Sequence, residues 1–166
     1  MKKLLLVFVL AAIVATGAFA DHPSSKLGIG VMGGWHGHWS GGAGVPGFTF
    51  SLKIPEVPIF WGIALGIGSG YFDLSVIGDY YLFEGTLVSN IDLHWFFGVG
   101  GWVNIGLGDP FHLSLGARLP IGISWHVIDF IEIFLNVSPS LGLQVAKSIH
   151  FPAGGWPIEL GIRFWI

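Results

Sequence analysis

The chain has 166 residues, no cysteine and a formal net charge of -3; charged residues make up only 10% of it, while 52% are hydrophobic and 27 are glycine. A soluble domain carries about 25% charged residues, so this chain lacks the charge to cover a water-facing surface. The missing cysteines exclude disulfides and thiolate chemistry.

The chain opens with Lys2 and Lys3, an apolar run from Leu4 to Val14, and then Ala18-Phe19-Ala20. This is the order of a secretory signal peptide: a basic start, an apolar stretch and a small-x-small cleavage site. The reading is a signal peptide over residues 1–20, cleavage before Asp21, and one domain over residues 21–166. The apolar run is short for a retained anchor, which needs about 20 residues. With Lys2 and Lys3 removed, five of the seven basic residues remain against ten acidic ones. That balance offers no basic patch, so no nucleic acid is expected as a partner.

No later segment supplies about 20 apolar residues without a charge, as a membrane helix requires. The longest candidate, residues 57–72, is rich in glycine, which costs about 1 kcal/mol relative to alanine in a helix interior. Strand alternation fits better, because side chains on a strand repeat every second position. Leu27, Ile29 and Val31 alternate with Gly28 and Gly30. Next comes GGWHGHWSGG, residues 33–42. If the strand continues there, Trp35 and Trp39 share the apolar face, and His36 and His38 share the other. Two such histidines could hold zinc or copper, with His150 approaching from a distant loop, but no third ligand lies nearby in sequence. The reading is an interfacial and loop segment, with no metal site assigned.

The pattern then repeats. Phe48, Phe50, Leu52 and Ile54 oppose Thr49, Ser51 and Lys53. Trp61, Ile63, Leu65 and Ile67 oppose small residues. Phe72, Leu74 and Val76 oppose Asp73, Ser75, Asp79 and Tyr81. Ile91, Leu93, Trp95, Phe97 and Val99 oppose Asp92, His94, Phe96 and Gly98. Leu113 to Ile123 oppose Ser114, Gly116, Arg118 and Gly122. Ile131, Ile133, Leu135 and Val137 oppose Glu132, Asn136 and Ser138. Ile158, Leu160, Ile162, Phe164 and Ile166 oppose Glu159, Gly161 and Arg163.

Eight segments of roughly ten residues, apolar on one face and small or polar on the other, predict an all-β fold: an eight-stranded antiparallel transmembrane β-barrel. The connections are short turns such as PEVP (55–58), GSG (68–70), GLGDP (106–110) and SWHVID (124–129). The longer pieces, 36–46 and 146–156, fall at the end opposite the termini. With periplasmic termini, that end is extracellular. A soluble sandwich would need charged outer faces.

Trp35, Trp39, Trp61, Trp95, Trp102, Trp125 and Trp156, with Tyr80 and Phe164, suit the interfacial girdles of such a barrel. Inside, Lys53, Asp79, Asp92, Arg118, Glu132, Glu159 and Arg163 are expected to form an ion-pair network. Isolated charges in a narrow lumen would be very costly. Glu132 and Arg163 fall at similar heights on neighbouring strands; Arg118 and Glu159 face one another; Lys53, Asp79 and Asp92 gather near the periplasmic rim. His112 and Ser114 share an inward face with no acid partner facing outward, and there is no phosphate loop. No enzyme activity, cofactor or catalytic residue is expected.

The last strand, ELGIRFWI, places Glu159, Gly161, Phe164 and Ile166 on the pattern that barrel-insertion machinery reads. Ile166 stands where an aromatic residue is usual. The alternating strands and this ending resemble small outer-membrane barrels of the OmpA, OmpX and OmpW type. More narrowly, ARLPIGISW (117–125) and IEIFLNVSPSLGL (131–143) are similar to an uncharacterised family of small spirochaete outer-membrane proteins, through Arg118, Pro120, Gly122, Trp125, Glu132, Pro139 and Gly142. The resemblance implies a compact barrel in the bacterial outer membrane, in contact with lipid and the insertion machinery. It implies a structural or surface-interaction role, with loops offered to a host surface ligand. The alternative is a narrow conduit for small solutes or hydrophobic molecules, the role associated with OmpW-like barrels.

Overall fold

Alternating branched and aromatic residues favour a pleated sheet, and prolines mark where its ladder must break. The computed structural model describes residues 22, 25–38, 47–68, 71–109 and 111–166. The signal-peptide reading for residues 1–20, the cleavage point at Asp21, and Trp39 lie outside the described residues.

The strands are β1 (Gly28–His38), β2 (Gly47–Lys53), β3 (Phe60–Gly68), β4 (Tyr71–Val88), β5 (Leu93–Leu107), β6 (His112–Arg118), β7 (Ile121–Ile128), β8 (Ile131–Val137), β9 (Ser140–Val145) and β10 (Ile149–Trp165). Every pairing is antiparallel, and β1 joins β10 to close the ring. The ten strands make eight walls. β5 pairs with both β6 and β7, and β10 pairs with both β8 and β9. Each pair is therefore one interrupted strand.

The interruptions fall at Pro120 and Pro139, which have no N–H to give to the ladder. Their carbonyls still serve it: Gly98 N donates to Pro120 O at 2.8 Å, and Leu119 N donates to Pro139 O at 2.9 Å. The ends of the described chain are tied together, with Leu27 N donating to Ile166 O at 2.9 Å and Ile166 N to Leu27 O at 2.8 Å. Both ends thus lie on one rim of the ring.

Several boundaries differ from those read in the sequence. β1 runs through His38 and β10 starts at Ile149, so residues 36–38 and 149–156 are strand, not loop. The β9–β10 connection shrinks to residues 146–148, and β7 runs to Ile128, leaving Asp129-Phe130 as the turn. Hairpin pairing with a partner strand outweighs the weak local signal of Gly and Pro in these stretches.

Burial is inverted relative to a soluble protein. Among the described residues, thirteen buried side chains are polar or charged and six are hydrophobic. The large apolar side chains point outward instead: Phe48 is 84% exposed and Ile67 is 79% exposed. Lys53, Asp79, Glu84, Arg118, Glu132, Glu159 and Arg163 are buried inside the ring. Asp73 is half-buried on the wall of the lumen. Among the described residues the exposed charges, Lys26, Glu56, Asp92, Asp109, Asp129 and Lys147, lie in turns or at strand ends. Among the described residues no helix is long and apolar enough to cross a membrane.

Candidate functional site

The lumen holds the polar chemistry, arranged in levels. In the middle, Asp79, Gly100 and Arg118 sit side by side in the registers of β4, β5 and β6. A Cβ on Gly100 would collide with Asp79 Oδ1 and would meet Gly78 O at 2.6 Å. The bare glycine lets Arg118 reach across to Asp79, with Nε 3.1 Å from Oδ1. Arg118 Nη2 also donates to Glu159 Oε2 at 2.6 Å and Nη1 to Glu159 Oε1 at 3.2 Å, a two-pronged pairing that fixes the guanidinium plane. Nη2 donates further to Ser138 Oγ at 2.7 Å, and Ser138 donates to Asn136 Oδ1 at 3.0 Å.

Nearer the termini, Arg163 Nη1 donates to Glu132 Oε2 at 2.7 Å. The same Glu132 oxygen accepts Trp165 Nε1–H at 2.9 Å. Arg163 bonds Ser51 Oγ through Nε and Nη2, at 3.3 and 3.2 Å. Its guanidinium lies over the rings of Phe134, Phe60 and Trp165, at 4.6, 4.7 and 5.5 Å. Phe60, Tyr81 and Phe96 stack in series, with centroids 4.2 and 4.3 Å apart. Fully buried Phe96 and Glu132 leave this level filled.

Lys53 is buried at the same lumen end and gives Nζ–H to Ile54 O at 3.0 Å. One expected member of the network sits elsewhere. Asp92 follows a short 3₁₀ turn, Ser89–Ile91, with φ 53°, a left-handed conformation that aspartate tolerates. That backbone turns its carboxylate out to the rim. There it lies 2.8 Å from His94 Nε2 and 3.6 Å from His126 Nδ1, away from the arginines. Asp79 is not at the rim but in the middle level, with Arg118.

His22, Glu84 and Trp165 complete the lower lumen with Tyr81, and of these four the sequence alternation singles out only Tyr81 as inward-facing. Glu84 is hidden by a register shift between Tyr81 and Phe83, which lets Tyr81 and Glu84 face the same way despite their odd spacing. Trp165 was legible, since it shares parity with Glu159, Gly161 and Arg163. His22 precedes the first strand, where no alternation can point to it.

Toward the opposite end the described residues leave a cavity of about 760 Å³ in the lumen, lined by Asp73, Trp102, Asn104, His112 and Gln144, among others, and reaching down to Arg118. His112 Nε2 is 3.1 Å from Asn104 Oδ1 and 3.2 Å from Asp73 Oδ1, so its acid partner faces inward with it. Trp102 belongs to this cavity and not to the outer girdle: it shares parity with Gly98, Gly100 and Asn104 on β5.

The remaining tryptophans follow the outer face. Trp61, Trp95 and Trp125 lie toward the rim that carries the termini. Trp35 and Trp156 lie toward the other, their rings 4.8 Å apart. In the backbone registers His36 and His38 stand opposite Pro157 and Gly155. His150 stands opposite Gln144 further along β10, its Nε2 2.9 Å from Ser148 Oγ. The registers therefore do not bring the three together.

Residues 35–164 match a family described as a protein of unknown function, DUF3996. The chain belongs to the DUF3996 family. The fold of this DUF3996 chain is similar to that of Neisserial surface protein A, at 12% identity over 84% of this chain and 95% of that one, with a TM-score of 0.46. It is also similar to Ail, the attachment invasion locus protein of Yersinia pestis, at 10% identity over 85% of this chain and 97% of that one, with a TM-score of 0.43. No curated protein matches the sequence.

Proposed function

We propose that the protein is an integral barrel of the bacterial outer membrane whose lumen is closed, serving a structural or surface-interaction role and no catalytic one. The observation that carries this reading is the inversion of burial: apolar side chains outside, buried charges paired inside, exposed charges confined to turns and strand ends. In a closed ring every strand has two hydrogen-bonded neighbours, which is what a hydrocarbon environment demands. Most walls reach or exceed the roughly 9–11 residues that a tilted strand needs to cross the bilayer.

The rest of the biology follows from that placement. A signal peptide over residues 1–20 directs export. The insertion machinery reads the final strand through Glu159, Gly161, Phe164 and Ile166. The rim with the termini faces the periplasm, and the opposite rim, which carries the turn at residues 146–148, faces outward, where a host surface ligand would meet it. The alternative, a narrow conduit, draws on the cavity toward the outer rim. That cavity stops at Arg118, and the packed level around Arg163 lies beneath it, so the closed reading is preferred.

Protease treatment of intact cells tests the placement. Cleavage confined to the rim opposite the termini, with both chain ends protected and the protein in the outer-membrane fraction, is the expected result. Cleavage at the ends, or recovery in the soluble periplasm, would contradict it.

A further inference from the structure

His22 sits in the lower mouth of the lumen, nearly buried, and is held from two sides. Its Nδ1 pairs with Glu84 Oε1, and its backbone N–H donates to Glu84 Oε2 at 3.2 Å. Its Nε2 points the other way, 3.0 Å from Glu132 Oε1. Across the mouth, neither ring nitrogen of His126 has a hydrogen-bond partner among the described residues, although both are shielded from solvent. Asp92 Oδ2 lies 3.6 Å from its Nδ1. A shielded imidazole with two idle nitrogens calls for an explanation.

We propose that His22, His126 and Glu132 bind a divalent first-row transition-metal ion of the Zn²⁺ class. One ligand atom from each residue lies within 4.8 Å of the other two. Bonds of about 2.0–2.1 Å to nitrogen and oxygen need ligand atoms roughly 3.3 Å apart, a spacing that small side-chain rotations reach. Two imidazoles and one carboxylate are also a common zinc set that leaves a fourth position open.

The supporting shell is already built. Glu84 on Nδ1 sets the tautomer of His22 that leaves Nε2 free as a ligand, the arrangement in which a carboxylate orients a metal-binding histidine. Arg163 and Trp165 occupy Glu132 Oε2 and leave Oε1 for the ion. Asp92, His94 and His126 form a second, more exposed set of ligand atoms within the same span, sharing His126 with the first. Imidazole ligands select against Mg²⁺ and Ca²⁺, which prefer oxygen. An ion held here would tie the segment before β1 to β7 and β8 across the lower mouth of the lumen.

Calorimetric titration of the barrel purified from membranes, with ZnCl₂ and with CaCl₂, tests this. The site requires one Zn²⁺ per chain and no matching Ca²⁺ isotherm. His22→Ala and His126→Ala should each weaken binding at least tenfold, and Glu84→Gln, acting through His22, by about tenfold. The triple variant His36→Ala, His38→Ala, His150→Ala should bind as the parent does. Co²⁺ should give the intense visible absorption of a four- or five-coordinate site in the parent and lose it in His22→Ala. If His126→Ala does not fold, His22→Ala decides, because residue 22 contributes to no strand. Zn²⁺ affinity unchanged in His22→Ala, affinity lost in the triple variant, or equal affinity for Ca²⁺ would overturn the proposal.

Discussion

Arg163 and Glu132 are register partners on β10 and β8, and their side chains meet inside the lumen at 2.7 Å with almost no solvent exposure. Each is the other's main compensation for leaving water. Arg163→Leu would leave a buried carboxylate without its guanidinium, beside Trp165 and His22. Breaking a buried pair from one side costs about 3–5 kcal/mol, whereas replacing both charges with apolar groups is often near neutral. Urea unfolding in detergent, followed by heat-dependent gel migration, should show a large loss for Arg163→Leu. The double variant Arg163→Met, Glu132→Leu should recover much of it. Equal losses for both would mean that the ion pair itself is not what the lumen depends on.

Gly30 and Gly47 separate a glycine that the wall requires from one that it does not. A Cβ at Gly30 would strike the Ile162 carbonyl and lie 2.8 Å from Arg163 Cα, both backbone atoms of β10 that cannot step aside. At Gly47 a Cβ would meet nothing within 4 Å. Gly30→Ala should destabilise the refolded barrel by about 1–3 kcal/mol through overpacking. Gly47→Ala should unfold at the same urea concentration as the parent.

Depth in the bilayer gives a further test. Val99 and Leu107 both point outward from β5, at 39% and 53% exposure, but Leu107 ends the strand and Val99 is near its middle. An arginine on the lipid face costs about 2–4 kcal/mol at the midplane and about 0–1 near the interface. Val99→Arg should therefore lower folding stability in vesicles far more than Leu107→Arg. Similar effects from the two would argue against a membrane-spanning β5.

The tryptophans can be sorted by what they touch. Trp125 is exposed on the outer face, whereas Trp102 lines the cavity and Trp165 is 3% exposed in the lower lumen. In vesicles of brominated lipid, a variant retaining Trp125 alone should be strongly quenched. Variants retaining Trp102 or Trp165 alone should keep most of their emission. Quenching of Trp102 equal to that of Trp125 would return it to the girdle.

The eight walls and their inward faces were legible because alternation with period two is written directly in the residues, as in Ile131 to Val137 or Ile158 to Ile166. So were the partnerships of Arg163 with Glu132, at similar heights on neighbouring strands, and of Arg118 with Glu159, at similar heights across the lumen. Other features depend on geometry that no pattern carries. The register shift after Tyr81 turns Glu84 inward, and the left-handed residue Asp92 swings its carboxylate out to the rim. His22 lies before any strand and reaches the lumen by tertiary packing alone. Trp102 was misplaced by its residue type, since tryptophan suits an interface, although its parity on β5 already pointed inward. The outer ends of β1 and β10 were read as loops because Gly, Pro and His dominate them. Pairing of β1 with β10, and of the start of β10 with β9, holds them in the wall.

Single-channel recording in a planar bilayer tests the central claim most directly, using protein whose heat-dependent migration shows that it is folded. With Arg118, Asp79 and Glu159 across the middle of the lumen and Arg163 packed among Phe60, Phe134 and Trp165 below, the folded barrel should insert and stay electrically silent. Steady, reproducible conductance steps from the folded species would contradict a closed lumen and establish a conduit in its place.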